Sequence, residues 1–397
     1  MRILTLATLY PNPSQPNFGI FVARQAQHLH RLPDTDVTVI NPVSLPPFPL
    51  SRLQRFRYAA RLSGDGIEAQ PGDCPPIHRV AFQSMPGMAA RNNAASIARA
   101  VMPLAKKLHA AQPFNLIDAE FFYPDGPAAA LIADALGVPY TIKARGADIH
   151  YWGIQTASAK QILPAAQGAA ALLAVSQALA DDMAALGMAR DKIHVHYTGC
   201  DQQRFHPDAE RTIPLPFADN TPYAITVGAL IARKNPHLII EALQAVPDMH
   251  HVFVGDGEER ERLERQAAAL ALTERVHFLG AVPHDSLPGL LAGASMLVLP
   301  SQSEGLANAW VEALACGTPI VISEAGGARE LVTSDVAGRI VAQQPDAIAE
   351  AMRALLDQSP DPQQVRGSVT HFTWERNAEE LRAIFARVSA LDGQPSG

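Results

Sequence analysis

The chain holds 397 residues, 48% of them hydrophobic and 18% charged, with a formal net charge of −7. That length makes about two domains, each able to bury a sizeable core, and the acidic balance argues against general nucleic-acid binding. The three cysteines, Cys74, Cys200 and Cys316, show no C-x-x-C spacing, which argues against a zinc cluster or a disulfide scaffold and fits a reducing compartment.

The apolar opening Met1–Leu9 is too short to span a bilayer and ends in Tyr10-Pro11-Asn12-Pro13, so it reads as a first strand, Ile3–Leu9, rather than a signal peptide. No later stretch reaches about 18 uninterrupted apolar residues, and a cytoplasmic protein is expected. Pro16-Asn17-Phe18-Gly19 then leads into a helix Ile20–Arg31. Asp34-Thr35-Asp36 has the D-x-D pattern of metal-dependent sugar transfer, yet it precedes a strand (Val37–Ile40), the wrong edge of a sheet, and reads as a solvated turn. Leu50–Leu62 is basic and partly amphipathic: Leu50, Leu53 and Phe56 follow helical spacing among four arginines. It suits an anionic membrane face or an anionic lipid-linked molecule as well as a plain basic surface helix.

Strands Arg79–Phe82, Leu116–Ala119, Tyr140–Lys143, Ala171–Val175 and Ile193–His196 follow. They alternate with helices Ala94–Ala110, Gly126–Leu136 and Gln177–Leu186, the last capped by Ser176 and stopped by Gly187. Alternation of this kind is the signature of parallel α/β domains. Ligands bind at the carboxyl ends of such strands, which singles out Arg145-Gly146-Ala147-Asp148 with His150, after Tyr140–Lys143. Asp148 or His150 is a candidate base, although a lone His is more often structural.

A proline-rich break at Asp201–Pro222 reads as an interdomain linker. Charge changes sign there: residues 1–199 carry 17 Lys/Arg against 13 Asp/Glu, and residues 200–397 carry 15 against 26. Different partners are therefore expected for the two halves.

The second half restarts with strand Tyr223–Val227. Gly228 allows close backbone approach, Arg233 and Lys234 add two cations, and Asn235-Pro236 opens a helix to Ala245. A glycine, two cations and a helix N-terminus make a good seat for a diphosphate, without the spacing of a Walker A loop. Strand His251–Val254 leads into Gly255-Asp256-Gly257, then helix Glu258–Leu270 and strand Val276–Leu279. Strand Met296–Leu299 leads into Ser303-Glu304-Gly305-Leu306-Ala307 and a helix Asn308–Cys316 that carries Glu312. That helix is apolar almost all round, and a buried carboxylate bonds something specific. Either a protein donor satisfies Glu312, or Glu304 and Glu312 accept hydrogen bonds from ligand hydroxyls such as those of sugars. Strand Ile320–Ser323 follows, then Gly326-Gly327, whose bare amides suit phosphate or sugar, and a helix near Ala328–Val332. Strand Arg339–Val341, helix Asp346–Leu356 and a last helix after Phe372-Thr373-Trp374-Glu375 complete the chain.

Together these segments resemble the retaining GT-B glycosyltransferases of glycosyltransferase family 4. The E-x7-E pair Glu304/Glu312, Gly228 with Arg233-Lys234-Asn235, Gly255-Asp256-Gly257, Gly326-Gly327 and Thr198-Gly199-Cys200-Asp201 stand in the family's order. The resemblance implies an α/β fold of two Rossmann-like, doubly wound domains facing across a cleft, with a C-terminal helix crossing back to the first domain. The expected boundaries are 1–200 for an acceptor domain, 201–221 for the linker, 222–370 for a nucleotide-sugar donor domain and 371–397 for the crossing helix and tail.

The resemblance further implies that Glu304 contacts donor-sugar hydroxyls and Glu312 the ribose. Arg233 and Lys234 neutralise the leaving diphosphate, with Gly228 beside them and Gly19 facing it from across the cleft. Amides of Gly305, Leu306, Ala307 and Asn308, and those near Gly326 and Gly327, complete the cradle. Many members carry His where this chain has Arg145 and where it has Glu120. Glu304, Arg233, Lys234 and Arg145 are the expected catalytic set, and Glu120, Asp148 and His150 the expected acceptor contacts. The expected co-substrate is a nucleoside-diphosphate sugar, with no cofactor and no metal expected. The basic segment near Arg52–Arg61 makes a lipid-linked or polysaccharide glycan the expected acceptor. With no carboxylate positioned as a covalent nucleophile, front-side transfer with retention is expected. An epimerase of the same architecture or a non-catalytic nucleotide-sugar binder are the alternative readings.

Overall fold

The structure, a computed structural model, describes residues 1–53, 56–61, 67–68, 73–85 and 89–391. It divides into two compact units, 1–199 together with the chain from Trp374 onward, and 200–373.

The first unit is built on an eight-stranded sheet. Its strands are β1 (Arg2–Leu6), β2 (Asp36–Leu45), β3 (Ile67–Glu68), β4 (Ile77–Gln83), β5 (Leu116–Ala119), β6 (Tyr140–Ala144), β7 (Ala171–Ala174) and β8 (Ile193–Val195), in the order β3-β4-β2-β1-β5-β6-β7-β8. All pairs are parallel except the short β3/β4 edge. β5, β6 and β7 are buried along their whole length, as parallel strands covered by helices on both faces must be. The order reverses direction between β1 and β5, and the carboxyl ends of the strands flanking such a switch point form a natural binding crevice.

The second unit has six strands: β9 (Tyr223–Val227), β10 (His250–Val254), β11 (Val276–Gly280), β12 (Met296–Leu299), β13 (Ile320–Ser323) and β14 (Gly338–Val341). They run all parallel in the order β11-β10-β9-β12-β13-β14. Its switch point lies between β9 and β12, the two strands that lead into the Arg233-Lys234 and Glu304 segments. The core gathers Leu230, Ile239, Ile240, Leu243, Phe253, Leu263, Met296, Val298 and Met352.

The last helix, Trp374–Leu391, returns to the first unit. Its Ala378, Leu381, Ile384, Phe385 and Val388 join Val22, Ala26 and Leu29 of the helix Ile20–His30 in one core.

Several elements differ from the sequence expectation for local reasons. β1 stops at Leu6, because the Thr8 amide turns to the Asp125 carboxylate at 2.9 Å. β2 continues to Leu45 through Asn41-Pro42, in register with β4 as far as Leu45 and Gln83; these two turn-forming residues hide a strand from sequence inspection. The helix Thr156–Gly168 carries Pro164 in its interior and shows little helical pattern in sequence. The stretch Leu50–Leu62 is no continuous helix: a single turn, Leu50–Arg52, is followed by extended Leu53, and Arg57–Arg61 forms a separate short helix. Gln54, Arg55 and Leu62 lie outside the described residues.

The proline-rich residues after Asp201 pack on the second unit. Phe205 is buried, and Arg366 donates to the carbonyls of Phe205 and Ala315 at 2.6 Å and of Gln202 at 2.8 Å.

Candidate functional site

In the second unit, four loops meet at the carboxyl edge of the sheet. The β9 loop starts at Gly228, whose φ of 140° brings its Cα close to the Lys234 ammonium; a Cβ there would lie 2.6 Å from Nζ. The loop is pinned by its backbone: Gly228 N–H donates to the Val254 carbonyl and Leu230 N–H to that of Asp256, at 2.9 and 3.0 Å. A Cβ on Gly255 would lie 2.0 Å from the Gly228 oxygen, so the two loops approach closer than any side chain allows. After the turn Ala232–Lys234, Asn235 takes the left-handed conformation at φ 49°. Its side chain donates to the Pro300 carbonyl at 3.0 Å, and the Gln302 amide donates to the Arg233 carbonyl at 2.8 Å. The β9 and β12 loops are thereby held together.

This geometry brings Arg233, Lys234 and Glu304 into one cluster. Glu304 Oε1 lies 3.6 Å from Arg233 and 3.7 Å from Lys234. It is buried, yet accepts no hydrogen bond among the described residues. Arg233 also donates to the Ser303 carbonyl. Charges near one another but outside hydrogen-bonding distance leave bonding capacity unmet.

Following Glu304, the Gly305 carbonyl accepts from Gly327 N–H at 2.8 Å, and a Cβ on Gly326 would lie 2.2 Å from that same oxygen. Gly326 and Gly327 thus clamp the β13 loop onto the β12 loop, and the Gly327 amide is already committed to Gly305. The amides of Leu306, Ala307 and Asn308 make no backbone hydrogen bond among the described residues. They lead into the helix Asn308–Ala315, whose N-terminal end favours an anion.

Glu312, on that helix, is mostly buried and has a protein partner that sequence inspection missed: His284 Nε2 lies 2.9 Å from its Oε1. His284 precedes Glu312 by several elements, and no local pattern links the two.

In the first unit, a buried polar cluster forms at the ends of β5 and β6. Arg145 is paired with the Glu120 carboxylate, donates through Nε to the Glu120 carbonyl at 3.3 Å, and lies 4.7 Å over the Phe21 ring. Burial favours the neutral acid of Glu120, but the charges of Arg145 and Lys143 prevail and hold its pKa below the ordinary value. Asp118 beside it is pushed well up by burial and by the Glu120 charge.

The other expected acceptor contacts are differently placed. Asp148 is fully buried and accepts from the amides of Phe122, Arg145 and Gly146 at 2.8–2.9 Å. Both oxygens shape the loop after β6, which accounts for the residue without a ligand. His150 sits on the π-helical turn Asp148–Trp152 and pairs with Asp182 at 2.9 Å, near solvent. Gly19 is the N-cap of its helix at φ 69°, where a Cβ would strike the Leu9 backbone at 2.4 Å. Its role in this unit is close packing. Asp36 of the D-x-D segment opens β2 and pairs with Arg2 at 3.2 Å, at the amino edge of the sheet.

Family comparison fits this geometry. The model described as "Glycosyltransferase Family 4" matches residues 19–204, and that described as "Glycosyl transferases group 1" matches residues 210–372. The putative teichuronic acid biosynthesis glycosyltransferase TuaC of Bacillus subtilis (strain 168) is 29% identical over 363 residues, 89% of this chain and 88% of its own. The D-inositol 3-phosphate glycosyltransferase 1 of Catenulispora acidiphila is 28% identical over 329 residues, covering 73% and 75%. Among solved structures, a sucrose-phosphate synthase from Thermosynechococcus elongatus superposes with a TM-score of 0.80 at 18% identity over 98% of this chain and 99% of its own. Anabaena Alr3699/HepE in complex with UDP-glucose gives 0.66 at 19%, over 98% and 99%. At those identities the superpositions speak for the fold alone.

Proposed function

The chain belongs to the group 1 glycosyltransferases of family 4, and from that premise we propose that it transfers a sugar, with retention and without a metal, from a nucleoside-diphosphate sugar to a glycan hydroxyl. The observation that carries this reading is the Glu304 carboxylate between Arg233 and Lys234, buried and unbonded at Oε1. A sugar hydroxyl would supply the missing donor, while the two cations take up the diphosphate charge. UDP-glucose bound to the Anabaena protein and the GDP-mannose dependence named for the Mycolicibacterium smegmatis mannosyltransferase support a donor of this class.

In the proposed mechanism the diphosphate departs from the face on which the acceptor arrives, and its oxygen helps remove the acceptor proton. Arg233 and Lys234 stabilise the charge that develops on the leaving group, the largest contribution such a site makes. The unbonded amides of Leu306, Ala307 and Asn308 offer further donors to the same charge. Glu312, steadied by His284, receives the ribose hydroxyls. Arg145, one of the expected catalytic set, contributes a fixed positive charge at the carboxyl edge of the first sheet.

For the acceptor we infer a cell-envelope or exopolysaccharide glycan, lipid-linked or growing, as the name of the Bacillus subtilis relative suggests. Among the described residues no helix is long and apolar enough to cross a membrane. Exposed Phe48, Leu50 and Leu53 beside Arg52 suit peripheral contact with an anionic cytoplasmic leaflet.

The test is saturation-transfer NMR with UDP-glucose, GDP-mannose, UDP and GDP, using Glu312→Ala as the control. Binding of one nucleotide pair, weakened by the substitution, is the expected result. No transfer to any of the four would sink the donor assignment.

A further inference from the structure

Lys143 stands in β6, a strand buried at every position, where a branched apolar residue would meet no desolvation cost. An ammonium held there is costly, and stability alone gives no reason for it. Its surroundings give one. Lys143 Nζ donates to Gln25 Oε1 and lies 2.7 Å from His196 Nδ1. His196 Nε2 faces the Asn377 carbonyl at 2.8 Å and must donate to it. The imidazole is therefore neutral, with its proton on Nε2 and its Nδ1 lone pair turned to Lys143. Gln25 is fixed just as firmly: its oxygen faces the ammonium, so its amide nitrogen faces and donates to Glu120 Oε1. The second Glu120 oxygen holds Arg145. Only one assignment of protons satisfies every member of this chain of contacts.

We propose that Lys143 and Gln25 are positioning residues for the transfer reaction, holding Glu120 and, through it, the Arg145 guanidinium in a single orientation at the carboxyl edge of the first sheet. The inference rests on the reading of Arg145 as a contributor to transfer. Arg145 Nη1 makes no hydrogen bond among the described residues, so its donors remain for a ligand once the other side of the guanidinium is fixed.

The charge on Lys143 itself depends on pH. The charged and titratable groups facing Lys143 are Glu120, Arg145, Asp118 and His196. Burial lowers the Lys143 pKa to about 8, against the attraction of Glu120 and Asp118. Above that pH the ammonium becomes neutral, while Arg145 still keeps Glu120 ionised.

The experiment compares wild type with Lys143→Met, Gln25→Leu and Arg145→Ala in the full chain. In the substrate-free wild type, nitrogen-15 NMR at pH 7 should show the Arg145 guanidinium with separate, slowly exchanging Nη signals. In Lys143→Met and in Gln25→Leu they should average at the same pH while the fold's amide spectrum persists. Separate signals retained in both variants would overturn the proposal without any substrate. With whichever of UDP-glucose or GDP-mannose releases its diphosphate, kcat should fall about 10-fold to 10²-fold in both variants, the scale of a misplaced group, with the donor KM unchanged. A loss confined to KM or to thermal stability overturns the inference. If Arg145→Ala alone lowers kcat, positioning by Lys143 and Gln25 fails while the reading of Arg145 stands. If Arg145→Ala keeps wild-type kcat, that reading fails and takes the inference with it.

Discussion

The two units each carry a charged cluster at the carboxyl edge of a parallel sheet, and the clusters are finished to different degrees. In the first unit Glu120 has a protein partner for each oxygen, and its neighbours Arg145, Gln25, Lys143 and His196 are linked in turn. In the second unit Glu304 sits 3.6 and 3.7 Å from its cations and accepts no hydrogen bond at Oε1. A saturated buried network fixes one geometry; an unsaturated one retains capacity for a ligand. Both carboxylates are buried, but the bonding capacity of Glu120 is spent on protein partners and that of Glu304 at Oε1 is not.

The sharpest way to break this contrast is thermal. Glu120→Ala strands Arg145 in a buried site and should cost about 3–5 kcal/mol of stability, read as a drop in melting temperature. Glu304→Ala removes a carboxylate that forms no hydrogen bond at Oε1 and should cost no more than about 1 kcal/mol. Equal melting temperatures for the two variants would erase the distinction. Kinetics should show the converse. Lys234→Ala or Arg233→Ala should lower turnover roughly 10²–10³-fold, the scale of losing one electrostatic contact to a leaving group, with little thermal effect. Turnover near wild type in both variants would remove the diphosphate from this site. The smallest expected effect is that of EDTA, because Arg233 and Lys234 supply the positive charge on which a metal would otherwise be needed. Activity lost on chelation and restored by Mg²⁺ or Mn²⁺ would give that task to a metal.

The second unit's cluster was legible in the sequence because its parts lie close to strand ends: Arg233 and Lys234 shortly after β9, Glu304 shortly after β12. Strand–loop–helix alternation places such residues on one edge without further information. What the sequence withheld were partners brought in from distant elements. His284 reaches Glu312 from another loop, and Gln25, Lys143, His196 and Asn377 come together from four separate elements. One signal for the latter was present. Asp118, Lys143 and His196 are ionisable residues within or at the ends of otherwise apolar strands, and such residues need partners across the sheet. Asp148 misled for the opposite reason: a carboxylate after a strand end resembles a base until its oxygens are traced to three backbone amides.

The return of Trp374–Leu391 to the first unit bears on the order in which the protein can be made. The second unit, 200–373, is one continuous piece set within the first. As synthesis proceeds from the N-terminus, Val22, Ala26 and Leu29 are made before residues 200–373, but their core partners Leu381, Ile384 and Phe385 only after them. The unit begun first is therefore completed last. Through the whole synthesis of 200–373 an apolar face of the nascent chain waits uncovered, the kind of surface that holds a chain on chaperones, and a message truncated anywhere before Trp374 would release it still exposed.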